Sequence, residues 1–257
     1  MNLVFPRLYA ILDPSLLTIS ELVLAETLAG SGVELIQYRN KKAPSRELFE
    51  ISLRLSTALA QSGVRFIVND RPDIALLAGA GGVHVGQEDL GVEEARAICG
   101  RQRWVGVSTH TLEQVTAADR TSADYIAFGP IFPTTTKQNP DAVVGTELLR
   151  RARQIAHKPL VAIGGITLEH AAEVYTAGAD SLAVVRDLIC AASPGERARG
   201  YRRPHDPEIA RETNRDRGDR SRLDNQEKGP AVQETPQWRI RLAQVDILPT
   251  GLGHHSR

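Results

Sequence analysis

A chain of 257 residues, of which 42% are hydrophobic, can bury a sizeable core as one large domain or two small ones. Its 31 basic and 31 acidic residues give a formal net charge of zero, which argues against a protein built mainly to coat nucleic acid or an anionic membrane. The N-terminus is interrupted too early for a signal peptide and no apolar run has membrane-spanning length, so we expect a soluble cytoplasmic protein.

Short apolar runs alternate along the chain with segments that repeat apolar residues at helical spacing, as buried strands alternate with amphipathic helices. The predicted strands are 8–12, 34–39, 65–69, 83–85, 104–108, 125–128, 160–163 and 181–185. The predicted helices are 18–29, 44–61, 74–78, 92–99, 112–118, 145–156 and 168–177. Eight strand–helix units in about 190 residues predict an α/β fold of the (β/α)₈ TIM barrel type. A doubly wound sheet ranks second because it usually has fewer strands.

The chain changes character after the eighth predicted strand. An eighth helix is expected within 187–199, where a Pro-Gly pair interrupts a thin apolar face. The residues that follow are mainly Arg, Asp, Glu, Asn and Gly, which cannot bury enough apolar surface to fold. We therefore predict a barrel domain over 1–199 and a charged, mostly disordered tail over 200–257, in which 238–242 and 245–248 are amphipathic enough to dock on the barrel.

The two cysteines lie far apart in the sequence. Cys99 and Cys190 have no partner cysteines or histidines at metal-ligand spacing, so neither a disulfide framework nor a zinc site is expected. Both residues are interpreted as buried free thiols.

Two carboxylates follow neighbouring predicted strands. Asp70 comes directly after the strand at 65–69, and Asp89 lies in the turn after the strand at 83–85. The carboxyl ends of parallel strands open on one face, so both side chains can meet there. Magnesium is usually held by one or two carboxylates with water and substrate phosphates, so the pair predicts a Mg²⁺ site. The alternative is that each Asp forms a turn or caps a helix, which is the more common role of a single such residue.

Polar and basic side chains lie at or just after the carboxyl ends of several predicted strands. These residues are Gln37, Arg39, Lys41, Asn69, Ser108 and His110. A guanidinium and an ammonium at one end of a barrel suit a polyanion such as pyrophosphate, although two solvated charges give the same pattern. His110 either contacts a substrate or caps the next helix, whereas His84 lies within a strand and is interpreted as structural.

The last three strand ends predict a second anion site. The connection at 130–141 is long and rich in hydroxyls, as functional loops often are. Gly164 and Gly165 follow strand seven and Arg186 follows strand eight, where barrels of this type commonly bind phosphate. The glycine pair alone is weak evidence, because it can simply ease the packing of a strand on a helix.

Six motifs stand in order between about residues 8 and 188. They are QYRNK at 37–41, NDR at 69–71, GVHVGQED at 82–89, GVSTH at 106–110, DYIAFGPIFPTTTK at 124–137 and AIGGI at 162–166. Together they resemble the thiamine-phosphate synthase family. The resemblance implies a TIM-barrel transferase that uses Mg²⁺ to condense an aminopyrimidine diphosphate with a thiazole (carboxy)phosphate, giving thiamine phosphate and pyrophosphate. It implies small-molecule substrates and no nucleic-acid or membrane partner, and leaves homo-oligomerisation open.

The resemblance also implies roles for the matching residues, with Asp70 and Asp89 as the Mg²⁺ ligands. The aminopyrimidine diphosphate would be bound by Gln37, Tyr38, Arg39, Asn40, Lys41 and Asn69, with Ser108 and Lys137 on its diphosphate side. The thiazole phosphate would be bound by Thr134, Thr135, Thr136, Gly165, Val185 and Arg186. Many family members carry a serine where Arg186 stands, but an arginine can also bind phosphate.

The expected chemistry is loss of pyrophosphate before the thiazole nitrogen attacks, because the pyrimidine ring can stabilise a cation at its methylene group. The implied catalytic residues are Arg39, Lys41, Ser108 and Lys137. They would take up the negative charge of the leaving group, and no general base is required.

Two other functions were weighed against a synthase. A related thiazole tautomerase shares the barrel but lacks the carboxylate motifs and carries a histidine after strand six, where this chain has Gly129 and Pro130. The third hypothesis is a barrel that binds a phosphorylated ligand without catalysis. No residue of the predicted site is missing, as it would be in an idle barrel.

Overall fold

The computed structural model describes residues 5–134 and 141–202 of the chain. The strands are β1 Leu8–Leu12, β2 Leu35–Tyr38, β3 Arg65–Asn69, β4 Gly82–Val85, β5 Trp104–Thr109, β6 Tyr125–Phe128, β7 Leu160–Ile163 and β8 Ser181–Val184. The α-helices are α1 Glu21–Gly30, α2 Ser45–Leu59, α3 Pro72–Leu77, α4 Val92–Cys99, α5 Leu112–Asp119, α6 Gly145–Ile155, α7 Ala171–Thr176, α8 Arg186–Ile189 and α9 Pro194–Arg202. Short 3₁₀ turns lie at Pro14–Leu16 and Leu168–His170.

The eight strands are parallel and form a closed barrel in chain order. Closure comes from β8, which pairs with β1 through Leu8 opposite Leu182 and Ala10 opposite Val184. This arrangement confirms the predicted (β/α)₈ fold and places the carboxyl end of every strand at the same end of the barrel.

The core has two layers because successive strand residues point to opposite sides of the sheet. Tyr9, Leu35, Ile67 and Tyr125 belong to a cluster inside the barrel. Their neighbours along the strands, such as Ile36, belong to the larger cluster between the barrel and its helices. The direction of a strand side chain therefore decides whether it can reach the barrel mouth.

The starts of α4, α5 and α6 match the prediction, whereas α1 begins at Glu21 instead of residue 18 and α3 at Pro72 instead of residue 74. The Ser20 hydroxyl accepts a hydrogen bond from the Val23 amide at the start of α1, and Thr111 does the same for Gln114 at the start of α5. Pro72 is the first residue of α3, where its missing N–H is not needed. These local signals fix where each strand–helix connection turns.

The predicted eighth helix is wrong in its position and continuity. We expected a helix within 187–199 interrupted by its Pro-Gly pair, but the structure has α8 followed by the separate helix α9. Pro194 begins α9 instead of breaking it, because proline fits the first turn of a helix. The predicted domain boundary at 199 falls within α9, whose Tyr201 is fully buried.

The two cysteines differ in exposure. Cys99 is buried as predicted, but Cys190 is exposed, so that part of the prediction is wrong. Cys190 immediately follows the four-residue helix α8, and its side chain is not covered by the neighbouring elements. The predicted tail from 203 onward lies outside the described residues. None of the described helices is long and apolar enough to cross a membrane.

Candidate active site

A cavity of about 1040 Å³ opens at the carboxyl end of the barrel. The predicted site residues that line it are Gln37, Arg39, Asn40, Lys41, Asn69, Asp70, Asp89, Ser108, Thr134, Gly165, Val185 and Arg186. Thr135, Thr136 and Lys137 lie outside the described residues. Barrel closure therefore brings distant side chains to the same cavity. Gln37 and Arg186, for example, are 149 positions apart in the sequence.

Tyr38 is the predicted substrate-binding residue that the structure does not place at the cavity. Its side chain is fully buried in the layer between the barrel and the helices, and its hydroxyl accepts a 3.3 Å hydrogen bond from Asn40 Nδ2. The reason is strand alternation, which points Gln37 inward and its neighbour Tyr38 outward. The Tyr38 side chain therefore lies away from the cavity, although the resemblance implies that Tyr38 binds substrate.

The two predicted metal ligands meet as expected. The carboxyl groups of Asp70 and Asp89 are within hydrogen-bonding reach of each other, and Lys41 Nζ lies 3.1 Å from Asp70 Oδ2. Asp89 is oriented by the Gly86 amide, which donates to its Oδ2 at 2.8 Å. Burial, reinforced by the neighbouring Asp89, raises the pKa of Asp70, while Lys41 opposes that rise.

The backbone at Asp70 is held in an unusual conformation. Its φ of 63° is left-handed, which few residues other than glycine adopt, although aspartate is among the more tolerant. The Asp70 amide donates to the carbonyl of His84 at 2.7 Å, which ties the end of β3 to β4. Such strain persists where the surrounding structure enforces it, often at functional sites.

The carboxylate pair fits a hard divalent cation. No group of three or more His, Cys, Asp and Glu that could bind a metal occurs in the parts of the chain that the structure describes. Magnesium does not need such a group, because it keeps several waters and takes its remaining ligands from substrate phosphates. Two adjacent carboxylates at a partly buried site repel each other, and a cation between them would remove that repulsion.

The basic side chain that follows β2, that of Arg39, is held by a partner that the sequence did not reveal. Arg39 Nη1 donates to Asp13 Oδ2 at 2.7 Å, and both side chains are largely buried. Asp13 ends β1 and also accepts from Ser15. Asn40 shapes the turn, because its Oδ1 accepts from two backbone amides that follow it. Asp13 was overlooked because only the barrel brings it beside Arg39.

A chain of hydrogen bonds crosses the barrel interior beneath the cavity. Gln37 Nε2 donates to Tyr9 Oη at 2.6 Å, and Tyr9 Oη lies 2.8 Å from Tyr125 Oη. Tyr125 Oη lies 3.0 Å from His84 Nδ1, and His84 Nε2 lies 2.9 Å from Ser108 Oγ. Two predicted site residues, Gln37 and Ser108, are thus connected through three side chains that were not predicted to belong to the site.

The position of Tyr125 depends on a glycine at the paired position of the neighbouring strand β5. A Cβ at Gly106 would lie 2.0 Å from the Tyr125 ring, so no side chain can replace that glycine without moving the tyrosine. Burial raises the pKa of both Tyr9 and Tyr125, so both hydroxyls stay protonated and can each donate one hydrogen bond. Strand alternation predicts that Tyr9 and Tyr125 point into the barrel. It does not predict that their two hydroxyls form a hydrogen bond.

The glycine after β7 is also required by close packing. Gly165 has a φ of 64°, and a Cβ there would lie 2.4 Å from the Pro133 carbonyl oxygen. The Gly164 carbonyl accepts from the Phe132 amide at 3.0 Å, so the connections after β6 and β7 lie against each other. This contact brings Thr134 and Gly165 to the same side of the cavity.

His110 lines the cavity, where a substrate contact stays a prediction, but its side chain does not cap the next helix. The next helix is capped by Thr111, whereas His110 Nδ1 lies 2.6 Å from the carbonyl oxygen of Gly129. Its Nε2 lies 3.4 Å from Asp141 Oδ2. His110 therefore connects β5 to both ends of the long connection after β6.

Comparison with known proteins gives consistent matches over the barrel. A family model described as thiamine monophosphate synthase matches residues 8–188. The thiamine-phosphate synthase of Koribacter versatilis is 48% identical over 204 residues, which cover 77% of this chain and 94% of that protein. The thiamine-phosphate synthase of Chloroflexus aurantiacus is 44% identical over 186 residues, covering 72% of this chain and 86% of that protein.

Solved structures agree with the sequence matches. A thiamine phosphate pyrophosphorylase from Pyrococcus furiosus superimposes with a TM-score of 0.70 at 33% identity, covering 80% of this chain and 96% of that chain. A 3-hexulose-6-phosphate synthase superimposes with a TM-score of 0.55 at 20% identity and shows likeness of fold alone.

Proposed function

Because this chain belongs to the thiamine monophosphate synthase family, we propose that its barrel mouth joins an aminopyrimidine diphosphate to a thiazole (carboxy)phosphate. The products are thiamine phosphate and pyrophosphate, and the chain is a transferase of that family. The observation that supports the proposed site most directly is the contact of Asp70, Asp89 and Lys41 on a cavity that also holds Gly165 and Arg186. These contacts support a proposed cation site and a proposed anion site at the same end of the barrel.

The carboxylates would hold Mg²⁺ through Asp70 and Asp89. When bound, the ion supplies positive charge to the phosphate oxygens of the diphosphate substrate. Lys41 pairs with Asp70 at 3.1 Å, and its ammonium group would be available to a phosphate oxygen once the Asp70 charge is neutralised.

The reaction begins with cleavage of the bond between the pyrimidine methylene carbon and the diphosphate oxygen. The electron pair leaves with pyrophosphate, and Arg39, Lys41 and Ser108 stabilise the charge that develops there. Lys137, outside the described residues, is assigned to the same task by its place in the family motif. The thiazole nitrogen then attacks the methylene carbon with its own lone pair, so no protein base has to remove a proton.

Ser108 acts as a hydrogen-bond donor because of the buried chain below it. With the Gln37 amide oriented as in the structure, its Nε2 donates to Tyr9, so the single Tyr9 hydroxyl proton goes to Tyr125. The Tyr125 proton goes to His84 Nδ1, which leaves His84 Nε2–H to donate to Ser108 Oγ. The Ser108 hydroxyl proton would then be directed away from His84 and could be donated to a phosphate oxygen of the substrate.

The second substrate is assigned to the opposite side of the cavity. Thr134, Gly165, Val185 and Arg186 line this side and would bind the thiazole phosphate, together with Thr135 and Thr136 outside the described residues. Backbone amides exposed at glycine and a guanidinium are both suited to a phosphate group. Separate sites for the two anionic substrates keep their negative charges apart.

The test is an end-point assay with the full-length chain, both substrates and Mg²⁺, with products identified by mass spectrometry. We expect thiamine phosphate and an equal amount of pyrophosphate, and no product after chelation with EDTA. No product with Mg²⁺ present would contradict the proposed function. Undiminished product under EDTA would instead contradict the assignment of Mg²⁺ to Asp70 and Asp89.

A further inference from the structure

A cluster of side chains at the edge of the cavity centres on Asp187. Its carboxylate accepts hydrogen bonds from the Leu168 amide at 3.2 Å and from Tyr201 Oη at 2.5 Å. Arg197 adds two more, from Nε at 2.8 Å and from Nη2 at 2.6 Å. Paired N–H donors from one guanidinium are among the stronger and more directional contacts to a carboxylate.

This cluster joins the two connections that the proposed function assigns to the thiazole phosphate. Asp187 follows Arg186 after β8, while Leu168 lies in the connection after β7. Arg197 also contacts that second connection, because its Nη2 donates to Glu169 Oε1 at 2.9 Å. Both anion-binding connections are thereby fastened to the terminal helix α9, which carries Arg197.

The terminal helix is packed closely on the same connection. A Cβ at Gly200 would lie 2.6 Å from Leu168 Cδ2, so α9 rests directly on the Leu168 side chain. Tyr201, one turn after Arg197, is buried and reaches Asp187 with its hydroxyl. The helix therefore supplies both contact surface and hydrogen-bond donors at this point.

The negative charge of Asp187 has to be neutralised by Arg197 if a phosphate is to bind nearby. Asp187 lines the cavity beside Arg186, and a phosphate bound there would be repelled by an uncompensated carboxylate. The Asp187 side chain is only 14% exposed, so solvent screens its charge weakly, and Arg197 provides the opposite charge at 2.6 Å.

We infer that Asp187, Arg197 and Tyr201 are positioning residues that make the terminal helix α9 part of the thiazole phosphate site. This inference rests on the proposed function. The three side chains act by holding Arg186 and the connection after β7 in place and by cancelling the Asp187 charge. They have no part in the departure of pyrophosphate, so their loss should affect one substrate only.

The test measures both KM values and kcat for Arg197→Met in the full-length chain. We expect KM for the thiazole phosphate to rise about tenfold, with kcat and KM for the aminopyrimidine diphosphate unchanged. The milder Tyr201→Phe removes one donor and should raise the same KM about threefold. Thermal melting of both variants reports whether they fold.

Arg153→Met is the matched control at the opposite end of the barrel. Arg153 Nη1 pairs with Asp180 at 2.6 Å, and Asp180 accepts from the Leu160 amide at 2.7 Å, which repeats the chemistry of the Asp187 cluster away from the cavity. We expect Arg153→Met to lower the melting temperature without changing either KM. An active wild type with an unchanged thiazole KM in Arg197→Met, or with both KM values raised equally, would overturn the inference. A wild type that forms no thiamine phosphate would refute the proposed function itself.

Discussion

At the scale of single residues, Asp70 combines a left-handed backbone with a charge that faces Asp89. Both features lower the stability of the folded chain, and both are explained if the pair is arranged to receive a cation. Natural sites often keep residues that are unfavourable for folding because binding requires them.

The exchange Asp70→Asn should separate stability from activity. Asparagine also tolerates the left-handed conformation but has no charge to oppose Asp89, so the melting temperature should stay equal or rise. We expect kcat to fall about 100-fold or more, as for loss of a major electrostatic contact. The control is Asp73→Asn, because Asp73 is half exposed and pairs with Arg71. Near-normal turnover of Asp70→Asn at low Mg²⁺ would show that the metal assignment is wrong.

Tyr125 allows a second test of a single group. The exchange Tyr125→Phe removes the hydroxyl between Tyr9 and His84, so we expect the free energy of unfolding to fall by about 1–3 kcal/mol. It should also lower kcat about tenfold, because the donor chain that orients Ser108 is interrupted.

The matched control is Tyr175→Phe. The Tyr175 hydroxyl donates to the Arg7 carbonyl at 2.7 Å, so this exchange removes a largely buried hydrogen bond outside the donor chain. It should lower the melting temperature and leave kcat unchanged. If Tyr125→Phe also left kcat unchanged, the buried chain would be structural only.

At the scale of elements, the strand–helix connections position the site, and those after β6 and β7 pack closely on each other. Gly165 and Gly63 have similar left-handed φ values of 64° and 73°, but a Cβ at Gly63 meets nothing within 4 Å. Comparing alanine substitutions at the two positions therefore distinguishes the cost of backbone strain from the cost of close packing.

We expect Gly63→Ala to lower the free energy of unfolding by about 1 kcal/mol, from strain alone. Gly165→Ala should lower it by about 3 kcal/mol or more, because the Pro133 carbonyl has to move as well. It should also raise KM for the thiazole phosphate. Equal destabilisation in denaturant titrations, with unchanged KM, would contradict this account of the connection after β7.

At the scale of the whole molecule, the chain divides into the barrel that the structure describes and a C-terminal segment that only the sequence informs. The composition of that segment predicts disorder, because it offers little apolar surface to offset the entropy of folding. We therefore propose that the segment is dispensable, whereas α9, which precedes it, belongs to the barrel.

Two truncations test this division. A chain that ends after Arg203 keeps α9 and should retain the melting temperature and kcat of the full-length chain. A chain that ends after Ser193 loses Arg197 and the buried Tyr201, so we expect a lower melting temperature and a raised KM for the thiazole phosphate. If truncation after Arg203 lowers the melting temperature by several degrees, the segment at 238–248 docks on the barrel and the prediction is wrong.

The sequence by itself determined the order of the elements and the end of the barrel at which the candidate site residues lie. Strand and helix periodicities are local, so β1, β3, β6 and β7 have the predicted bounds. The carboxyl ends of parallel strands share one face, so the approach of Asp70 to Asp89 followed from strand order. The family motifs added the substrates, which no local pattern contains.

Only the tertiary structure decided which side chains meet. Tyr9 and Tyr125 are 116 positions apart and touch because the barrel closes, and the Asp13 partner of Arg39 was hidden for the same reason. A motif does not state on which side of a strand a residue points, so only the fold showed that the Tyr38 side chain points away from the cavity. Contacts of this kind depend on closure, register and packing together, and these are set by the free energy of the whole fold and not by any one segment of the chain.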